Sequence, residues 1–128
     1  MGLEQALAGW RDVLTPGGAI AFSEPVYLTD TPSDGARAFW GDEGIEVGTE
    51  AEIRARVAAT GFQTVDTRVL SDVAWEGYFR PIEDRIARLR PGADAGLVRA
   101  LEQGLEEIAG WRAHRGETGY LLLVVRPS

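Results

Sequence analysis

The chain has 128 residues, 45% of them hydrophobic and 26% charged, which suits one globular domain with a single core. Its 13 basic and 20 acidic residues leave a net charge of −7, and that balance argues against nucleic acid as a partner, because phosphate backbones are held by clustered cations. With no cysteine, a single histidine and no apolar run as long as a membrane span, the sequence excludes disulfides, thiolate catalysis and Cys- or His-rich metal sites, predicts no membrane partner, and makes the cytoplasm the simplest expected location.

Leu3, Leu7, Trp10 and Leu14 recur at helical spacing, with Ala6 on the same face, and predict a helix over 3–14. Pro16-Gly17-Gly18 stops it, since proline cannot donate the next backbone bond and glycine accepts positive φ. Ala19 to Ser23 is a short apolar run between turn signals, the pattern of a strand covered on both faces. Residues 30–48, rich in Gly, Asp and Pro, predict mainly loop with one helical turn over Ala36 to Trp40. Thr49 followed by Glu52 fits a capping box at the start of a helix whose inner face carries Ile53 and Val57, and Gly61 stands where a left-handed C-cap would be.

Over Gln63 to Leu70, Val65, Thr67 and Val69 alternate with Asp66, Arg68 and Leu70, which predicts a strand with one wetter face. Trp75 to Arg90 reads as helical, with Phe79, Ile82, Ile86 and Leu89 inward, Pro81 as a fresh start within it and Pro91-Gly92 as its end. Arg85, Arg88 and Arg90 are interleaved with Glu83 and Asp84, so they describe a solvated helix face rather than a basic groove. Leu97, Leu101, Leu105, Ile108 and Trp111 or Arg112 mark another helix of about 18 residues, weakened by Gly104 and Gly110. Tyr120 to Arg126 is an apolar run ending at Pro127, the pattern of a buried central strand. Three strands and about four helices make an α/β chain, and periodicity alone leaves the direction of the last strand open.

Gly2-Leu3-Glu4, Leu7, Trp10 and Leu14, followed by Pro16-Gly17-Gly18 and a strand ending at Ser23-Glu24, resemble the second half of class I S-adenosylmethionine-dependent methyltransferases. Phe39-Trp40 and the helix opened by Thr49-Glu50-Ala51-Glu52 and closed by Gly61-Phe62 resemble that family's last crossover. Trp75, Tyr78-Phe79, Pro81 and Arg85 look like the aromatic-rich segment after the sixth strand in its small-molecule branch, and "LLLVVRP" looks like the seventh strand. The resemblance implies a Rossmann-like sheet in which 19–23 is the fifth strand, 63–70 the sixth and 120–126 an antiparallel seventh lying between them. It also implies that residues 1–128 form a single partial domain beginning just after the fourth strand, with a helical insertion at about 75–115.

The cofactor implied by the resemblance is S-adenosylmethionine. In the family it is held by a glycine-rich turn after the first strand and an acidic residue after the second. No G-x-G-x-G occurs here; Pro16-Gly17-Gly18 follows a helix, and Gly41-Asp42-Glu43-Gly44 has no strand before it. No cofactor-binding residue is therefore expected in the chain, and no catalytic residue is assigned. Glu24, at the end of a parallel strand, is a candidate base or substrate anchor, because open α/β sheets place ligand groups there. Tyr27, Phe39 and Trp40 are candidate pocket walls, and Trp75, Tyr78 and Phe79 a candidate lid over a small-molecule substrate; core packing or loop anchoring is the alternative for all six. Trp10 and Trp111 read as core, His114 as a charge at a helix C-terminus, and Glu106-Glu107 as a solvated face.

Two functions follow. The chain is expected to be the C-terminal part of a small-molecule methyltransferase, inactive by itself, or else a methyltransferase-like interaction module. In both, the strand at 19–23 is left as a hydrophobic edge open to a complementing N-terminal half or to a second copy. An autonomous three-stranded α/β domain of another kind is the remaining expectation.

Overall fold

The computed structural model describes residues 2–41 and 46–128. In chain order the elements are α1 (Leu3–Arg11), β1 (Ile20–Tyr27), α2 (Asp34–Trp40), β2 (Gly48–Thr49), α3 (Glu50–Ala59), β3 (Phe62–Val69), α4 (Asp72–Leu89), a 3-10 turn (Arg90–Gly92), α5 (Ala95–His114) and β4 (Thr118–Pro127). Four strands make one sheet in the order β2-β1-β4-β3. β4 runs antiparallel to both β1 and β3, so those two are parallel to each other, and β2 pairs parallel with the end of β1. The reversed last strand thus lies between the two strands where the resemblance put it.

Sequence periodicity erred mainly at ends. β2 adds a fourth strand to the expected three; two residues carry no alternation to betray them, and only pairing of Gly48 and Thr49 with Val26 and Tyr27 makes them a strand. β1 runs through Pro25 to Tyr27 instead of stopping at Ser23, since most of β1 is an edge on its β2 side, where proline is tolerated. α1 ends at Arg11, although Leu14 still packs on the core and so keeps its place in the pattern. The segment around Ala36–Trp40 is a helix of 7 residues, and Pro81 lies within one continuous 18-residue α4 rather than opening a new helix. The capping box at Thr49 is present as predicted, and Ser33, Ser71 and Asp94 cap α2, α4 and α5 in the same way, each side chain accepting a backbone N–H three residues on.

The core divides in two. On one face of the sheet, Leu3 and Leu7 of α1 and Ile53 and Val57 of α3 pack onto Val26, Phe62, Leu121, Leu123 and Val125. Arg11 ties this layer down: its guanidinium donates to the carbonyls of Thr60 (3.0 Å) and Gly61 (2.7 Å) and lies over the Phe62 ring. Gly61 is in the left-handed region at φ 80°, which lets the chain turn from α3 into β3. The second cluster, Trp75, Phe79, Ile108 and Trp111, gathers with Tyr120 at one end of the opposite face.

Among the described residues, none covers the rest of that opposite face. Registry places Ala21 and Ser23 of β1, Leu122 and Val124 of β4, and Asp66 and Arg68 of β3 on it. Leu122 and Val124 are 38% and 36% exposed, unusual for apolar residues in the middle of a sheet's inner strand. Residues Ile20 to Pro25 also have no strand partner on the β2 side among the described residues. No helix among the described residues is long and apolar enough to cross a membrane.

Candidate functional site

Because β1 and β3 run together and β4 against them, their carboxyl ends and the start of β4 meet at one edge of the sheet. α2, α4 and α5 converge there through aromatic packing. Trp75 is stacked between Trp111 and Tyr120, each with its ring centroid 5.2 Å away and planes within 18° and 15°. Trp40 stands edge-on to Tyr120 at 5.3 Å, and Phe39 edge-on to Trp40 at 5.0 Å. The Trp40 indole N–H donates to the Thr118 hydroxyl, which donates in turn to the Val26 carbonyl at 3.0 Å, so this ring is fastened to the sheet itself. Phe39 reaches its place because residue 110 is glycine: a Cβ there would lie 3.2 Å from the Phe39 ring.

These rings enclose a cavity of about 380 Å³ lined by Phe39, Trp40, Leu70, Ala74, Trp75, Tyr78, Glu107 and Tyr120. That volume and that lining, apolar with a few polar groups, are those of a small-molecule pocket. Behind it Arg112 braces α4 against α5, donating to Glu76 (2.8 and 3.0 Å) and to Glu83 (2.5 and 3.0 Å). Those hydrogen bonds hold both carboxyls below the ordinary carboxylate range and raise the guanidinium. His114, the last residue of α5, sits 3.2 Å from Glu117, whose carboxylate accepts the backbone N–H and hydroxyl of Ser33. This cluster joins α2 to α5 and keeps His114, at the C-terminus of α5, outside the cavity lining.

Of the seven residues predicted for the site, Phe39, Trp40, Trp75 and Tyr78 line the cavity. Phe79 lies beneath it, 2% exposed and packed on Trp75 and Trp111, so it is core rather than lid. Tyr27 lines a neighbouring cleft of about 310 Å³, with Thr29, Asp30, Thr49 and Glu50, between the end of β1 and the start of α3. Glu24 is elsewhere. It pairs with Leu121 and so points to the face covered by α1 and α3, opposite Tyr120, and β1 continues three residues past it. The strand ends later than the sequence predicts, at Tyr27 rather than Ser23, which leaves Glu24 within the strand and away from this cavity.

Burial raises the Glu24 pKa, partly offset by Arg56. For an acid with a raised folded pKa, the folded state carries a penalty above that pKa and none below the unfolded value. Glu24→Gln is therefore expected to raise the thermal midpoint at pH 7, with the gain vanishing near pH 4, where the wild-type carboxyl is also protonated. Melting curves by circular dichroism at both pH values measure this, and a loss of stability at pH 7 would contradict the placement of Glu24.

Two further residues line the cavity: Tyr120, which the sequence pattern makes the first residue of a buried strand, and Glu107, which beside Glu106 reads as solvated surface. A signal for Glu107 existed: it lies three and four residues before Gly110 and Trp111, on the α5 face that meets Phe39 and the aromatic cluster. Burial, then the nearby Glu107 charge, raises the Tyr120 pKa, so its phenol stays protonated and can donate.

The residues described do not fit the cofactor that the resemblance implies. Gly17, Gly41 and Gly61 have positive φ, and they follow α1, α2 and α3. None leads from a strand into a helix, as a nucleotide-binding glycine turn must. Of Gly41-Asp42-Glu43-Gly44, all but Gly41 lies outside the described residues.

No family model matches the chain, and no curated protein does. Solved structures do. A SAM-dependent methyltransferase from Geobacter sulfurreducens, in complex with S-adenosyl-L-homocysteine, matches with a TM-score of 0.82 and 21% identity over 99% of this chain and 53% of that one. A SAM-dependent methyltransferase from Thiobacillus denitrificans, also with S-adenosyl-L-homocysteine, gives 0.77 and 18% over 100% and 53%. A putative sarcosine dimethylglycine methyltransferase from Galdieria sulphuraria gives 0.72 and 17% over 98% and 47%. The chain thus spans about half the length of the structures it matches. With its reversed β4 between β1 and β3, it has the fold of the C-terminal half of a class I methyltransferase.

Proposed function

We propose that this chain is the acceptor-binding, C-terminal half of an S-adenosylmethionine-dependent methyltransferase of small molecules, and that it works with a complementary half that holds the cofactor. One observation carries the reading: an aromatic cavity stands at the carboxyl ends of β1 and β3, where open α/β sheets take ligands, in a sheet that superposes on enzymes solved with S-adenosyl-L-homocysteine.

Methyl transfer needs a nucleophile held in line with the methyl donor and kept from water. The bound cofactor supplies the methyl group. The walls formed by Phe39, Trp40 and Tyr78 exclude water from the acceptor, and the Tyr120 hydroxyl, kept protonated, can orient it by a hydrogen bond. The free edge of β1 and the open face around Leu122 and Val124 receive the complementary half, whichever polypeptide carries it.

Calorimetric titration of the 128-residue chain with S-adenosylmethionine is expected to give no binding heat. Micromolar affinity would overturn the assignment of the cofactor to another half. The second reading, an interaction module, draws on the same exposed Leu122, Val124 and β1 edge. It calls for self-association visible as a concentration-dependent mass in light scattering, and a concentration-independent monomer would count against it.

A further inference from the structure

Among the described residues, Glu107 is the only charged one lining the aromatic cavity, and none of them that lines it is cationic. Among the described residues no cation pairs with it, whereas Glu76 and Glu83 on the adjoining helix are both held by Arg112. The carboxylate is exposed while the cavity is open to water. A neutral ligand that fills the cavity strips that water and leaves a carboxylate against aromatic rings with nothing to balance it; an anionic ligand adds repulsion. A cation instead acquires a partner. It also gains from aromatic faces, which attract positive charge, and Tyr78 is 64% exposed at the mouth of the cavity. Trp40 cannot serve an anion as a donor, since its indole N–H is committed to Thr118.

We infer that the cavity takes an organic cation, an ammonium compound whose charged head faces Glu107 and whose apolar body lies against Phe39, Trp40 and Tyr78. The inference rests on the reading of this cavity as the acceptor pocket and adds the charge class of the acceptor.

Choline and 3,3-dimethyl-1-butanol have the same shape and differ in charge, so together they isolate that property. Tryptophan fluorescence and NMR titrations of the chain are expected to show choline binding roughly tenfold tighter or more. In Glu107→Gln, which keeps the side-chain shape at an exposed position, the advantage of choline is expected to shrink roughly threefold or more, to what the aromatic faces alone supply. Circular dichroism establishes that the variant is folded. Equal affinities in the wild-type chain, or a preference for choline undiminished in Glu107→Gln, would overturn the inference and leave the pocket reading intact. Binding of neither ligand would overturn both.

Discussion

Replacing Trp111 with alanine is expected to destabilise the fold by about 3–5 kcal/mol and to dismantle the aromatic cavity. Trp111 is 0% exposed and is the largest fully buried side chain. It stacks on Trp75 at 5.2 Å and meets Phe79 at 5.6 Å, so it fills the space between α5 and α4. Deleting it removes the largest piece of apolar burial in the second cluster and leaves a void that the surrounding rings cannot close without moving. Trp75 would lose one of its two stacking partners and with it the orientation that holds Tyr120. Urea denaturation followed by far-ultraviolet circular dichroism reads the stability loss, and near-ultraviolet circular dichroism reads the loss of ordered aromatics. An unchanged denaturation midpoint would mean that α4 and α5 do not share a cooperative core with the sheet.

That cluster also shows what a single sequence can and cannot reveal. The helix-covered face was legible throughout, since Leu3, Leu7, Ile53 and Val57 fall at helical spacing and all are buried as expected. So was the α/β class, because long periodic helices alternate with short apolar runs. The aromatics were legible as a set but not as a geometry: Phe39, Trp40, Trp75 and Tyr78 come from two helices more than thirty residues apart. Their meeting depends on Gly110 leaving room for Phe39 and on Trp40 reaching Thr118. Spacing within a helix encodes neither. Glu24 lies away from the cavity for a different reason. In a strand the side-chain period is 2, so an error of a few residues at a strand end decides whether a group reaches the ligand edge or the opposite face. The Gly48–Thr49 strand had no local signal at all, since its pairing with β1 is purely tertiary.

The same period of 2 gives the second large prediction, which sets adjacent residues of β4 against each other. Leu123 is 1% exposed, pairs with Phe22 and Thr67, and faces the core of α1 and α3. Leu123→Asp is expected to cost more than about 4 kcal/mol, because a carboxylate there has neither water nor a cation, and to leave the chain unfolded at room temperature. Leu122, one residue earlier, is 38% exposed and pairs with Ser23 and Arg68 on the open face. Leu122→Asp is expected to change the stability of the isolated chain by no more than about 1 kcal/mol, the span of strand propensity at an exposed position. Its effect should appear elsewhere. If the open face receives the complementary half of the domain or a second copy, a charge at residue 122 would be buried at that contact, and association should weaken sharply while the fold persists. Chemical denaturation and light scattering on the two variants separate these outcomes. Association unaffected by Leu122→Asp would mean that the apolar stripe of β4 is only an exposed surface, and that any partner engages the β1 edge alone.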